Sequence, residues 1–217
     1  MNYYLDTEFL EGTQTKRFLG IPYGKTKPTI DLISIGIVSE ELNEPAFGGG
    51  TLKERSYYAV SKDFNLKEAW NRFDLKPDID NGGMKKVYWI RENVLLPIYI
   101  EFISGDMRNI FDFSYSTMKW ILKTHGKSNQ QIVKGIKQLT GIEFSYPDGI
   151  GSPNTDNIKF YAYFADYDWV AFCWLFGKMM DLPKKFPMYC IDLKQELDEK
   201  SSKYYKNCKE SIKKAKS

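Results

Sequence analysis

The stretch Thr29-Ile-Asp-Leu-Ile-Ser-Ile-Gly-Ile-Val-Ser39 carries the strongest structural signal in this chain of 217 residues. It is almost entirely apolar or β-branched, which predicts a buried strand. On either side of it, Asn2–Leu10 and Arg55–Ser61 are rich in aromatic and apolar residues and are also predicted to be strands. Asn43–Gly50, with Pro and three Gly, is predicted to be a turn. These strands together predict a β-meander.

The segment Gly12–Pro28 separates the first two predicted strands and contains Gly, Pro and Thr, which predicts a long loop or a hairpin arm. Cations and aromatics interleaved in this way are typical of contacts to single-stranded nucleic acid. An ordinary exposed hairpin is the alternative. The residues concerned are Lys16, Arg17, Lys25 and Lys27 beside Phe18 and Tyr23.

Downstream of residue 64 the pattern changes from strands to helices and then to alternating strands and helices. This order predicts an α/β fold with a mixed sheet. The predicted elements are helices from Asn65, from Tyr88 (kinked at Pro97), from Tyr115 and from Ser128 to Thr140, a breaker at Lys76–Met84, a loop at Tyr146–Asn157, a strand at Ile158–Ala165, a helix from Tyr167 or Asp168 to Met180, a strand at Met188–Ile191, a helix at Asp192–Lys200 and a separate helix at Lys203–Lys216.

The charge is distributed unevenly along the chain. The tail Lys200–Ser217 holds seven lysines and one glutamate, so it carries +6 and residues 1–199 carry −3. A lysine-rich tail suits a polyanionic partner, although a solvated terminal helix explains it equally well. We expect one domain over residues 1–200 and a basic tail or helix over residues 201–217.

The cysteine count and the N-terminus limit the cellular setting. Cys173, Cys190 and Cys208 show no paired spacing, which argues against a disulfide framework or a cysteine zinc site and favours the reducing cytoplasm. The N-terminus does not read as a signal peptide. The longest apolar run, Trp169–Met180, is shorter than the ~20 residues that a membrane helix needs, so we expect no membrane association.

His125 is the only histidine of the chain, which excludes a polyhistidine metal site. It also excludes a histidine-based catalytic motif at any other position. His125 lies in Lys123-Thr-His-Gly126, where we expect it to be a cation at a helix C-terminus.

Asp6 and Glu8 are two residues apart in the first predicted strand, so both side chains project from one face. Two adjacent carboxylates repel each other, and burial increases the free-energy cost of keeping them ionised. A divalent cation removes both problems, since hard oxygen ligands suit Mg²⁺ or Mn²⁺. A solvated strand end with two surface acids is the alternative.

Asp168 follows the predicted strand at Ile158–Ala165, where a helix begins. Open α/β sheets place their binding sites at such carboxyl ends of strands. The alternative is that Asp166 or Asp168 simply caps the helix, since aspartate is a favoured N-cap residue.

Taken together, Asp6-Thr-Glu-Phe9, Ile30–Ile37 and Tyr57-Tyr-Ala-Val-Ser61 resemble the DEDD superfamily of 3′-5′ exonucleases. Within it, they are similar to the bacterial polyadenylate-specific 3′-exoribonucleases related to ribonuclease T. Tyr167-Asp168, with Val170 and Cys173 in the following helix, resembles the second motif of this family. The resemblance implies an RNase H-like exonuclease fold, that is, a mixed five-stranded sheet with helices on both faces.

The resemblance also implies two-metal hydrolysis of phosphodiesters in single-stranded RNA, with DNA left open as a substrate. Two Mg²⁺ or Mn²⁺ ions would be bridged by Asp6, with Glu8 on one ion and Asp168 supporting the other. Thr7, Phe9 and Trp169 become candidate contacts to the 3′ nucleotide, with packing in the core as the alternative for each. Because related exonucleases are often dimers, the resemblance is also compatible with a homodimer.

The third motif of the family, His-x₄-Asp or Tyr-x₃-Asp, is absent, and Tyr189-Cys-Ile-Asp192 is the nearest approximation. We therefore expect this chain, which could stop short of that motif, to be a weak nuclease or none. One hypothesis is an exoribonuclease whose missing ligand comes from Asp192, Asp198 or a partner chain. The alternative is a catalytically impaired homologue that binds nucleic acid or protein. A nucleotide-handling enzyme on the same fold is a third hypothesis.

Overall fold

The structure is a computed structural model that describes residues 1–39, 55–103, 112–142 and 158–215, with side chains up to residue 204. The turn predicted at Asn43–Gly50 and the loop predicted at Tyr146–Asn157 lie outside the described residues. The chain packs as two compact units. The first unit contains Met1–Asp6, Ile37–Ser56 and Lys137–Ser217, and the second unit contains Thr7–Gly36 and Tyr57–Ile136.

Five strands form the main sheet, in the order β5-β4-β1-β8-β9. Strand β1 pairs in parallel with β8, and β8 pairs in parallel with β9. The predicted α/β fold with a mixed five-stranded sheet is therefore confirmed, and it is consistent with an RNase H-like exonuclease fold. The strands are β1 (Asn2–Gly12), β2 (Thr15–Phe18), β3 (Ile21–Lys25), β4 (Thr29–Ser39), β5 (Arg55–Val60), β6 (Asp74–Pro77), β7 (Met84–Val87), β8 (Lys159–Ala162) and β9 (Ile191–Asp192).

Two separate hairpins accompany this sheet. Strands β2 and β3 pair as the predicted hairpin arm, whereas β6 and β7 pair across the segment for which the composition predicts only a helix breaker. The second hairpin forms because Asp78 accepts the N–H of Gly82 on its carbonyl and donates its own N–H to Gly83. Gly82 and Gly83 both adopt positive φ, at 73° and 84°, which glycine does at little cost. The breaker residues therefore make the turn of a hairpin.

Six α-helices occur in the described part of the chain, together with a π-helical segment at Arg91–Leu95 and a 3₁₀ turn at Met179–Asp181. The π-helical segment ends just before Pro97, where a kink is predicted, and the N–H of Leu96 donates to the carbonyl of Arg91. The helices are α1 (Leu66–Asn71), α2 (Leu96–Ile103), α3 (Tyr115–Thr124), α4 (Asn129–Thr140), α5 (Ala165–Leu175) and α6 (Leu193–Ala215).

The elements near the C-terminus differ from their predicted bounds for local reasons. Phe164 adopts a left-handed conformation (φ 58°), so β8 ends at Ala162 and α5 begins earlier than predicted. Gly177, at φ 114°, follows the end of α5 at Leu175, well before Met180. The two helices predicted after residue 192 are one continuous helix, since no Gly or Pro interrupts them.

Each unit has its own core. In the second unit, β1, β4 and β5 contribute Leu10, Ile33 and Val60 to a cluster with apolar residues of α1, α2 and α3. His125 ends α3, as predicted, and its ring stacks on Phe102, with ring centroids 5.1 Å apart.

In the first unit, an aromatic cluster joins β1 and β8 to α5 and the segment after it. Its members are Tyr3, Phe160, Trp169, Phe172 and Phe186. Among the described helices, none has the length and apolar character that crossing a membrane requires.

Candidate active site

Strand β1 presents Asp6 and Glu8 on one face, as the spacing predicts. Tyr3, Leu5 and Thr7 are buried on the other face, whereas Asp6 is exposed and Glu8 is half-buried. The alternation then shifts by one residue, because Leu10 is fully buried. Phe9 is consequently only half-buried, so its ring is left beside Glu8 at the surface of the second unit.

Burial and negative charge raise pKa values around Asp6 and Glu8. Partial burial raises the pKa of Asp6 above its ordinary value, although the residue as a whole is exposed. Burial also raises the pKa of Tyr58, and the negative charges of Glu101 and Glu8 raise it further, against a hydrogen bond with Ser34. A positive ion here would lower the cost of ionised carboxylates.

Asp168 lies in the first turn of α5 and is 6% exposed. Because the helix begins at Ala165, neither Asp166 nor Asp168 is its N-cap residue, and the capping alternative is wrong. The N-terminus of α5 is capped from β9 instead, where the Asp192 carboxylate accepts the Ala165 N–H at 3.1 Å. The burial of Asp168 therefore requires a reason other than helix capping.

Parallel pairing aligns β1, β8 and β9 in one direction, and an acid lies in or after the paired part of each strand. Tyr4 of β1 is opposite Tyr161 of β8, and the next residue of β8, Ala162, is opposite Asp192 of β9. Asp6 and Asp168 follow these paired residues along their own segments. Parallel α/β sheets bind ligands at this carboxyl edge. Burial raises the pKa of the Cys190 thiol to about 12, with smaller contributions from the negative charges of Asp168 and Asp192, so both of these acids lie near this thiol.

Asp192 and Asp198 are the hypothetical sources of the missing ligand, and both have other partners. The Asp192 carboxylate also accepts the N–H groups of Lys194 at 2.7 Å and Gln195 at 3.2 Å, at the start of α6. Desolvation would raise the pKa of Asp192, but these backbone hydrogen bonds lower it overall. Asp198 forms an ion pair with Lys194 one turn earlier in the same helix. Both carboxylates are thus engaged by other groups of the chain.

The fit of the residues to a metal ion can be judged from the donor set. Asp6 and Glu8 supply hard oxygen donors on one strand face, which is the chemistry that Mg²⁺ and Mn²⁺ prefer. Within residues 1–39, 55–103, 112–142 and 158–204, no three His, Cys, Asp or Glu side chains converge as a metal-binding group. The pair on β1 therefore fits a divalent ion chemically, without a complete set of three converged ligands.

A cleft of about 450 Å³ lies beside Glu8 in the second unit. One wall is the end of β1, and the other is formed by the segment after α1 and the segment after β7. Phe73 and Trp89 are 40% and 51% exposed, so aromatic surface is available next to an acid. The lining residues are Glu8, Phe9, Glu11, Gly12, Arg72, Phe73, Asp74, Val87, Trp89 and Ile90.

No motif or spacing in the sequence points to Arg72, Phe73 or Trp89 as residues of this site. Phe73 and Trp89 are sixteen positions apart in the chain, and the pairing of β6 with β7 brings their segments together. A cluster of aromatics on both sides of a Pro-Asp and Gly-Gly turn is the available signal, and the same turn residues also fit a simple helix breaker.

The three predicted substrate contacts differ in their surroundings. Phe9 lines the cleft, whereas Thr7 is 6% exposed on the buried face of β1. Trp169 is 9% exposed and stacks on Phe172, with ring centroids 5.0 Å apart and planes at 10°. Its indole Nε1 is buried and has no hydrogen-bond partner among the described residues. The structure thus places Trp169 in the aromatic core of the first unit.

Comparison with known proteins gives the chain a biochemical context. It is 29% identical over 197 residues to two proteins of Mycobacterium tuberculosis, 3′-5′ exoribonuclease Rv2179c and 3′-5′ exoribonuclease MT2234.1. The similarity covers 90% of this chain and 73% of each relative. No protein-family model matches the chain. The similarity supports a 3′-5′ exonuclease family.

Proposed function

We propose that this chain is a metal-dependent 3′-5′ exoribonuclease that hydrolyses single-stranded RNA from its 3′ end. The observation that carries the proposal is the Asp6 and Glu8 pair on one face of β1, in a chain similar over 90% of its length to proteins named 3′-5′ exoribonuclease. The aromatic cleft beside Glu8 supports it, because the end of a single strand needs a place to stack.

Asp6 and Glu8 are proposed as ligands of Mg²⁺ or Mn²⁺, with Asp168 of α5 as the further ligand that the family resemblance implies. When bound, two such ions would activate the attacking water and stabilise the leaving oxygen. Asp192 is left out of this ligand set, because its carboxylate accepts three backbone N–H groups.

The cleft is proposed to hold the 3′-terminal nucleotide. Phe9, Phe73 and Trp89 offer aromatic faces on which a base can stack. Arg72 contributes positive charge to the same wall, and its guanidinium is held in place by the carbonyls of Glu11 and Thr13. Trp169 is not included among these contacts, since Phe172 and Phe160 pack against its ring.

The direct test uses 5′-labelled single-stranded RNA of about 20 nucleotides with Mg²⁺ or Mn²⁺, resolved on a sequencing gel. We expect progressive shortening from the 3′ end, release of nucleoside 5′-monophosphates, and inhibition by a 3′-phosphate block. Asp6→Asn and Glu8→Gln should abolish shortening. Asp80→Asn, which makes the same change in an exposed turn, should not. Internal cleavage, or shortening that survives Asp6→Asn, would refute the proposal, and DNA of the same sequence measures sugar preference.

A catalytically impaired, RNA-binding homologue is the second candidate function. It is favoured by the engagement of Asp192 in helix caps and of Asp198 with Lys194, which leaves the family's third motif without a substitute at either position. This candidate predicts that the chain retains the same RNA in a filter-binding assay with Mg²⁺ present, while the RNA keeps its full length over hours. Rapid shortening would exclude it.

A further inference from the structure

The hairpin of β2 and β3, residues Thr15–Lys25, exposes large apolar side chains that belong to neither core. Phe18, Ile21 and Tyr23 are 71%, 69% and 67% exposed. Leu19 at the tip is 87% exposed and adopts a positive φ of 48°, which is strained for a residue with a branched side chain. Apolar side chains held in water in this way mark a surface that binds something.

The charge of the hairpin indicates what kind of partner it binds. From Gly12 to Ile30 the chain contains no Asp or Glu, and it carries four exposed cations. Arg17 donates to the carbonyl of Gly20 across the turn at 3.2 Å, which keeps one of these charges close to the tip. The cations are Lys16, Arg17, Lys25 and Lys27, interleaved with Phe18 and Tyr23.

Hydrogen bonds hold the base of the hairpin, where β2 begins and β3 ends. Gln14, which is 7% exposed, exchanges hydrogen bonds with Thr26 across the base of the two strands, at 2.8 and 2.9 Å. Its side-chain amide donates to Asp31 and accepts from the Asn65 amide, both at 3.0 Å. Asn65 also caps α1 by accepting the Glu68 N–H. The position of the hairpin is therefore set by the helix that packs behind it.

The base of the hairpin is also hydrogen-bonded to the wall of the cleft. Arg72 lines the cleft and donates to the carbonyls of Glu11 and Thr13, just before the hairpin begins. Glu68, which faces Arg72, accepts the N–H of Thr15, the first residue of β2. Glu11 belongs to the cleft wall itself. The hairpin thus emerges from the wall of the cleft and is hydrogen-bonded to it.

We propose that this hairpin is a clamp for single-stranded nucleic acid, which holds the strand upstream of the nucleotide in the cleft. The inference rests on the proposed exoribonuclease function and deepens it. Strands of four and five residues reach roughly 15 Å at about 3.3 Å per residue, enough to follow a few nucleotides. Phe18 and Tyr23 stack on bases, and the four cations contact phosphates, a combination that tolerates any sequence.

The test measures binding and not hydrolysis. Fluorescence anisotropy with 5′-labelled single-stranded RNA of 4 and of 16 nucleotides is recorded in EDTA, over a series of salt concentrations. Two variants remove the clamp, Phe18→Ser with Tyr23→Ser, and glutamine at all four cations. The matched control places glutamine at four exposed lysines of α1, α3 and α4, so its net charge change is identical; these are Lys67, Lys119, Lys123 and Lys134.

Both clamp variants should weaken binding of the 16-mer at least tenfold and leave binding of the 4-mer within twofold. The cation variant should also reduce the salt dependence of 16-mer binding by about 0.7 in log–log slope for each phosphate that it no longer neutralises. The lysine control should behave as the unmodified chain, and circular dichroism verifies that every variant is folded.

Unchanged 16-mer binding in both variants would overturn the clamp. So would a variant that alters only the oligomeric state by light scattering, or only the binding to anionic lipid vesicles, because the hairpin would then serve a second copy or a membrane. Failure of the proposed function is recognised separately in the shortening assay: the unmodified chain would leave the RNA at full length, whether or not the clamp variants weaken its binding.

Discussion

Replacing Asp6 by asparagine separates two effects of this side chain. One is the free-energy cost of a partly buried charge, and the other is its proposed role as a metal ligand. Burial raises the folded-state pKa of Asp6 above its unfolded value. Such a group stabilises the fold below the unfolded pKa, and this contribution is lost as the pH rises through the folded pKa. At pH 7 the ionised side chain therefore opposes folding, and Asp6→Asn should melt at or above the temperature of the unmodified chain when no divalent metal is present.

A divalent metal ion should reverse this order, so that the unmodified chain melts at a higher temperature than Asp6→Asn. If Asp6 and Glu8 bind Mg²⁺, then at a concentration a hundredfold above the dissociation constant the folded state gains about 2.7 kcal/mol. For a chain of this size, each kcal/mol moves the melting temperature by about 2–4 °C, so the shift is roughly 5–11 °C. Asp6→Asn replaces one of the two proposed carboxylate ligands on β1 by a neutral amide, and we expect it to lose most of that shift.

The assay is thermal unfolding by circular dichroism in EDTA and in 10-fold steps of MgCl₂ or MnCl₂. Glu8→Gln should lose the metal-dependent shift like Asp6→Asn, while Asp80→Asn, in the exposed turn between β6 and β7, should keep it in full. The reasoning is refuted if Asp6→Asn keeps the full shift, or if it lowers the melting temperature in EDTA while the fold is otherwise unchanged.

Asn65→Ala should lower the free energy of unfolding by about 2–3 kcal/mol, because α1 loses its cap and the buried Gln14 oxygen loses its donor; urea denaturation beside Asn65→Ser, which keeps the cap, separates the two effects. Gly135→Ala should destabilise by about 1 kcal/mol despite alanine's helix propensity, since the added methyl group overlaps the Tyr57 ring; chemical denaturation should show this cost disappearing in a Tyr57→Ser background. Because burial raises the pKa of Cys190 to about 12, this thiol should react with iodoacetamide at pH 8 at least a hundredfold more slowly in the native state than after denaturation, which mass spectrometry of the proteolytic peptide containing Cys190 can follow.

The main sheet could be predicted from local patterns. Thr29–Ser39 has the predicted bounds of a strand, and Asn2–Gly12 extends the predicted first strand by two residues. Such runs of apolar and β-branched residues leave few alternatives, because period and composition agree along the whole segment. The pairing of Asp6 with Glu8 on one face follows from the same period of two, and burial on β1 agrees with it.

Elements that depend on single backbone conformations could not be predicted in this way. The start of α5 is decided by the left-handed conformation of Phe164 and by a carboxylate from β9, and neither is visible in the segment itself. Asp192 is one residue of a weak motif in the sequence, yet in the structure its oxygens serve the starts of two helices. Its part in capping depends on the pairing of β8 with β9, which joins residues about thirty positions apart.

The sequence alone determined the α/β class, the carboxylate pair on β1 and the basic, aromatic hairpin arm. The first follows from the order of the elements, and the other two follow from the spacing and composition of one short segment each. Only the tertiary structure decided which aromatics face solvent. It buried Trp169 in a core and brought Phe9, Phe73 and Trp89 to one cleft. Burial depends on which distant segments pack together, and local periodicity carries no information about that choice.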